Sequence, residues 1–183
     1  MLKLDANPPI RTPEAASVCD LDGDWFVAHT KARNEKAFAW DLLRRGAGYF
    51  LPLVERTIVS GGRRRRGLHP LFPGYVFFCG NGQTRYEAMC TGRLCNAIAV
   101  RDRAALIAEL VALETALAVD CALDLFPSLP VGARCRVKGG RLDGLVGTIV
   151  HRDGNVQVVL SVTVLGQGAA FHVEPELLEP LGA

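Results

Sequence analysis

Leu71-Phe72-Pro73-Gly74-Tyr75-Val76-Phe77-Phe78-Cys79 is the stretch from which the rest of the chain is read. Pro73 and Gly74 mark an entry turn or a sheet edge, and Tyr75 to Cys79 reads as a buried-type strand. Successive side chains of a strand point to opposite faces. Tyr75 and Phe77 therefore share one face, and Val76 and Phe78 the other. One pair can fill a core while its counterpart faces outward.

Upstream, Trp25-Phe26-Val27-Ala28-His29 is a second strand-like run followed by a polar turn. From Asn34 to Arg45, Phe38, Ala39, Leu42 and Leu43 recur at helical spacing; Asn34 is placed to cap that helix and Gly46 to stop it. Tyr49 to Val54 returns to strand character. Ser60-Gly61-Gly62-Arg63-Arg64-Arg65-Arg66-Gly67 reads as a solvated hairpin or loop tip. Downstream, Thr84-Arg85-Tyr86-Glu87 matches a capping box, which starts a short second helix. Cys95 to Val100 is a strand, and Asp102 precedes an amphipathic helix with Leu106, Leu110, Leu113 and Leu117 on one face. The succession implies an α+β unit over residues 25–119, an antiparallel sheet flanked by helices.

The texture then changes. Residues 120–130 lose helical periodicity and carry two prolines, which predicts a linker. From 131 to 183 come short β-branched strands with glycine turns, including the hairpin signal Asp153-Gly154-Asn155. That pattern predicts a small β-barrel of about 50 residues. Residues 1–24, with three prolines, five acidic residues and no apolar core, predict a disordered lead-in that is not a secretory signal, hence a cytoplasmic protein.

Several function classes are excluded. No apolar run reaches the roughly 18 residues of a membrane span. The six cysteines contain no C-x-x-C pair, so neither zinc nor a disulfide framework is expected, and no cofactor is expected either. His29, His69, His151 and His172 lie in no hydrolase, metalloprotease or phosphate-loop motif. Residues 25–103 hold fourteen Lys/Arg against five Asp/Glu, a net of +9, whereas residues 130–183 hold five of each. Only the first unit is thus expected to work close to nucleic acid.

Trp25 to Lys36, Phe50-Leu51-Pro52-Leu53 and Pro70 to Phe77 together resemble the N-terminal domain of NusG-family proteins. Gly132 to Leu160, with Gly144-Leu145-Val146-Gly147, resembles a KOW motif, and Val164 to Gln167 and Glu176 to Pro180 resemble the family's ending. The opening His29-Thr30-Lys31-Ala32-Arg33-Asn34-Glu35-Lys36 is closer to specialised paralogues of the RfaH kind. The resemblance implies a non-enzymatic, monomeric elongation or antitermination factor that binds RNA polymerase at the clamp of its largest subunit. It assigns that contact to Tyr75 and Phe77, with Phe72, Pro73 and His29 beside them, and a second contact to Thr84 and Arg85. Those aromatics could equally fill a core, and Thr84 could serve only as a helix cap.

Lys31, Arg44, Arg45, Arg93 and Arg63, Arg64, Arg65 and Arg66 are the candidates for upstream or non-template DNA, since guanidinium forks grip phosphate. The bland alternative is a solvated charged face. The resemblance further implies that Val164, Leu165, Gly166 and Gln167, an apolar turn, bind a small-subunit ribosomal protein or Rho. A different class remains open: a KOW-type RNA-binding protein of the ribosome or translation apparatus, which would favour a more basic second unit.

Overall fold

The computed structural model describes residues 7–60, 63–119, 121–128, 132–152 and 155–181. The chain divides into two compact units, Met1–Arg103 and Ala104–Ala183. Both mix helix and sheet. The boundary therefore falls ahead of the third helix, whereas the sequence placed a linker at 120–130.

In the first unit the order is β1 (Asp24–Thr30), α1 (Glu35–Arg44), β2 (Gly48–Phe50), β3 (Leu53–Ser60), β4 (Arg63–Pro70), β5 (Tyr75–Gly80), α2 (Gly82–Cys90) and β6 (Leu94–Ala99). Four of the strands make an antiparallel sheet ordered β2-β5-β1-β6. One face packs against the helices: Phe26, Ala28, Val76 and Phe78 close on Phe38, Ala39 and Leu42 of α1 and Ala88 of α2. Phe78 stacks on Phe26 at 5.2 Å and meets Phe38 edge-on at 5.8 Å. These offset and T-shaped contacts are the geometries aromatic quadrupoles favour.

Residues 7–24 are not a loose lead-in. Arg11 bridges to Phe50, the Leu51 amide donates to the Ile10 carbonyl at 2.6 Å, and the Thr12 hydroxyl accepts from the Tyr49 amide at 2.9 Å. Val18 is fully buried and Leu21 nearly so. The reason is the short β2, an edge strand whose outward backbone groups need partners; residues 10–12 supply them.

Two local expectations are refined. Of the two readings of the arginine run, hairpin or loop tip, the hairpin holds: the run lies within β4, paired residue for residue with β3 from Leu53↔Pro70 to Ser60↔Arg63. The β-branched Thr57-Ile58-Val59 opposite it favours extended backbone. Helix α2 starts earlier than Thr84: Asn81 caps it by accepting from the Thr84 amide at 3.0 Å, while the Thr84 hydroxyl accepts from the Asn81 amide at 3.3 Å. Thr84 thus occupies the third position of the capping box, not the first.

The second unit holds α3 (Arg103–Ala118, all but its first residue), β7 (Asp124–Phe126), β8 (Arg134–Val137), β9 (Val146–Arg152), β10 (Asn155–Val162), β11 (Gln167–His172) and β12 (Leu178–Pro180). Leu106, Leu110, Leu113 and Ala116 are the buried stripe of α3. The strands form one antiparallel sheet ordered β12-β8-β9-β10-β11-β7. Among the described residues β12 and β7 remain its two edges, so the expected barrel is not closed. Strand β7 lies inside the segment predicted as linker and pairs with β11. Residues 153–154 of the predicted hairpin lie outside the described residues. No helix, among the described residues, is long and apolar enough to cross a membrane.

Candidate functional site

The face of the first sheet opposite the helices carries three cross-strand rows, since directly paired residues point the same way, and Trp25–Cys79–Gly48 is the one farthest from the Pro73-Gly74 turn. One row is Asn96–His29–Tyr75, across β6, β1 and β5; the next is Ile98–Val27–Phe77–Phe50, reaching β2. Val27, Phe77 and Phe50 are fully buried. Phe77 lies between the rings of Phe50, at 6.4 Å, and Phe72, edge-on at 6.3 Å. Phe72 is itself 1% exposed. Two of the aromatics expected to face a partner are therefore core. Strand alternation placed Phe77 on the right face, but the Phe72 ring folds back over it.

What stays accessible is a strip around that sealed row. His29, Pro73, Asn96 and Ile98 are exposed and Tyr75 is half-buried. His29 and Tyr75 stack at 5.3 Å between centroids, 22° from parallel. Among the described residues Ile98, at 40% exposure, is one of three large apolar side chains that stand well out, with Tyr86 and Met89. Asn96 and Ile98 were missed from sequence because β6 carries no aromatic signature. Their place in the strip depends on the register β6 takes beside β1.

The turn that ends the strip is tightly held. The Tyr75 amide donates to the Phe72 carbonyl at 3.1 Å, and Gly74 has φ +86°. Proline second and left-handed glycine third is the type II arrangement, where a β-carbon would be strained. The Gly74 amide donates to Glu35 Oε1 at 2.7 Å, and its carbonyl accepts from the Thr30 amide at 2.8 Å. The neighbouring Lys36 Nζ donates to Asn7 Oδ1 at 2.6 Å and to the Leu68 carbonyl. Burial lowers the Lys36 pKa, against the opposing charge of Glu35. The Glu35-Lys36 pair thus ties α1 to three other places in the unit, the Gly74 turn, Asn7 and Leu68 of β4.

Arg85 is exposed yet engaged: its guanidinium donates to the Ala97 carbonyl at 3.0 Å and lies 5.7 Å over the Phe26 ring. The Ala97 amide is in turn accepted by Asn96 Oδ1 at 2.8 Å. Both backbone groups of Ala97 on the open edge of β6 are thereby satisfied within the chain, as edge strands require if they are not to recruit another strand.

The basic residues separate into two groups. Arg93 and Arg44 converge on the two carboxyl oxygens of Asp41, Arg45 donates to the Asp41 carbonyl at 3.0 Å, and Arg93 also reaches Asn34 Oδ1 at 3.2 Å. Asn34, expected as a capping side chain, is used there instead and makes no cap bond. Burial alone would raise the Asp41 carboxyl; hydrogen bonds and charge from Arg93 and Arg44 outweigh it and hold the pKa below its ordinary value. Arg64 and Arg66 are exposed on β4, with Glu55 3.7 Å from Arg66, and Lys31 is exposed after β1. An exposed pair of that length contributes little, so Arg66 keeps its charge available. The side chains of Arg63 and Arg65 lie outside the described residues.

In the second unit Thr163–Leu165 is a 3-10 turn and Gly166 is left-handed. Val164, Leu165 and Gln167 are half-buried and Gly166 exposed. The preceding Thr163 amide donates to both carboxyl oxygens of Glu109 on α3, at 3.1 Å each. The turn is apolar, as expected, but is anchored at its start by the helix. No group of three or more His, Cys, Asp or Glu side chains able to hold a metal is gathered among the described residues.

Residues 23–89 match the family model described as transcription termination factor nusG. That span runs from the start of β1 almost to the end of α2 and contains His29, Glu35, Pro73, Gly74 and Tyr75. No curated protein matches the chain. Among solved structures, one described as domain interaction in Thermotoga maritima NusG aligns over 87% of this chain and 97% of that one, at 15% identity and a TM-score of 0.50. At that identity the likeness is one of fold. A crystal structure of the MjSpt4:Spt5 complex in conformation B covers the same shares at 13% identity, but its TM-score of 0.26 carries no argument. The family match thus spans part of the first unit, and the likeness to the solved structure adds a shared fold.

Proposed function

We propose that this chain is a non-enzymatic transcription elongation factor that docks on the RNA polymerase clamp through the strip His29, Pro73, Tyr75, Asn96 and Ile98. The observation that carries the reading is that strip itself: a stacked ring pair, a rigid proline turn and an exposed isoleucine, within a sheet whose residues 23–89 match the NusG model. Aromatic anchors on a preorganised surface concentrate binding energy in few residues. Phe72 and Phe77 support the strip from beneath. Thr84 and Arg85 have structural duties as capping and edge residues, which argues against a second docking contact through them.

The basic hairpin β3-β4 is the arm toward DNA, with Lys31 and the arginines about Asp41 as further phosphate contacts. The second unit is a KOW-type recruiting module whose Val164–Gln167 turn meets a ribosomal protein or Rho. The RfaH-like opening, His29 to Lys36, favours a specialised antitermination paralogue, acting as a cytoplasmic monomer.

The decisive experiment is capture of core RNA polymerase by the full chain and by Tyr75→Ala and His29→Ala. Loss of capture in both is expected, and undiminished capture in both refutes the docking face. Charge-neutral replacement of Arg64 and Arg66 is expected to flatten the salt dependence of binding to elongation complexes, because each lost phosphate contact lowers the slope by about one. An unchanged slope removes the hairpin from DNA.

A further inference from the structure

We infer that Glu35 is the positioning residue of the docking strip, setting the Pro73–Tyr75 turn without itself meeting the partner; this rests on the docking reading above. Glu35 opens α1, is only 7% exposed, and reaches across 39 residues of sequence to accept the Gly74 amide at 2.7 Å. The next peptide group, Gly74–Tyr75, is held as well, where the Gly74 carbonyl accepts from the Thr30 amide at 2.8 Å. Gly74 is therefore fixed at both ends, by the start of a helix and by the end of β1. That is where fixing matters. Glycine has the widest conformational range of any residue and loses the most freedom on ordering. Its two neighbours, Pro73 and Tyr75, both belong to the strip.

The clamp also sets the ring pair. His29 precedes Thr30, Tyr75 follows Gly74, and the His29 ring passes within 3.7 Å of where a Gly74 β-carbon would stand. The two hydrogen bonds that seat Gly74, one to the Glu35 carboxylate and one from the Thr30 amide, thus fix the separation at which His29 and Tyr75 stack. A looser turn leaves the rings present but disordered, and the ordering cost is then met at the moment of binding.

The experiment uses the full chain with Glu35→Gln, which keeps a carbonyl acceptor at the same reach, Glu35→Asp, which is one methylene short, and Glu35→Ala. His29→Ala and Tyr75→Ala run beside them. Three readouts are taken: affinity for core RNA polymerase by biolayer interferometry, the thermal midpoint, and the Gly74 amide proton shift. Glu35→Asp and Glu35→Ala are expected to weaken binding about ten-fold, the equivalent of one hydrogen bond's worth of preorganisation. Their Gly74 shift should move upfield, while Glu35→Gln restores both affinity and shift.

Wild-type affinity in Glu35→Asp and Glu35→Ala, with Tyr75→Ala weakened, overturns the clamp and leaves the docking face standing. Wild-type affinity in His29→Ala and Tyr75→Ala instead removes the docking face. Loss of the native far-UV spectrum in Glu35→Ala leaves the decision to Glu35→Asp; loss in both makes Glu35 a folding residue and overturns the proposal.

Discussion

Phe77→Ala and Tyr75→Ala should separate core from surface on a single strand. Phe77 is fully buried between the Phe50 and Phe72 rings, so truncation leaves a cavity that those rings cannot collapse into without leaving their own places. Phe-to-Ala changes in such sites cost about 3–5 kcal/mol. Tyr75 is half-buried, and its main ring partner is the exposed His29. Losing that stack costs about 1 kcal/mol. Both tryptophans, Trp25 and Trp40, belong to the first unit, so their fluorescence in urea reports its unfolding alone. With a urea slope of about 2 kcal/mol per molar, Phe77→Ala should lower the midpoint by about 2 M and Tyr75→Ala by about 0.5 M. Polymerase capture should fall in Tyr75→Ala while its fold stays intact. A Phe77→Ala midpoint matching wild type, or a Tyr75→Ala midpoint displaced as far, refutes the assignment of the two residues.

The Asp41 cluster makes a pH-dependent prediction. Its carboxyl pKa is held below the ordinary 3.8, so its stabilisation is complete above that pH and is lost as pH falls through the lower folded-state value. Asp41→Asn should therefore cost about 1 kcal/mol or more at pH 7 and less at pH 3, read from urea midpoints; an equal cost at both refutes the charge-based account. The thiols make the other. Cys79 is buried and its pKa is pushed up to about 11, chiefly by desolvation, and burial also raises Cys135. Iodoacetamide at pH 8 should label the exposed Cys19, Cys90 and Cys95 well before either, by mass spectrometry of the native protein. Early labelling of Cys79 would mean that the second face of the sheet opens readily.

What the chain determined by itself was everything set by neighbours a few residues apart. The period-two pattern of Tyr75 to Cys79, the helical spacing of Phe38 and Leu42, and the Pro73-Gly74 turn are local, and each formed where it was read. Alternation also said correctly that Tyr75 and Phe77 share a face. It could not say how much of that face stays open, because the covering groups come from elsewhere in the chain. The Phe72 ring closes over Phe77, and residues 10–12 pair along the edge of β2 instead of trailing free.

Tertiary structure alone decided the members of the candidate site. Asn96 and Ile98 join His29 and Tyr75 through strand register, and Asp41, whose helical neighbours Arg44 and Arg45 stand three and four residues on, also gathers the distant Arg93, which its place in the sequence gives no hint of. Glu35 finds Gly74 from the far side of a hairpin. The four-arginine run shows the same limit, since its polarity indicated solvent but its backbone was recruited by β3. Side-chain chemistry is written locally, whereas hydrogen-bond partners and covered area are set by which distant segments meet, and that depends on the whole fold.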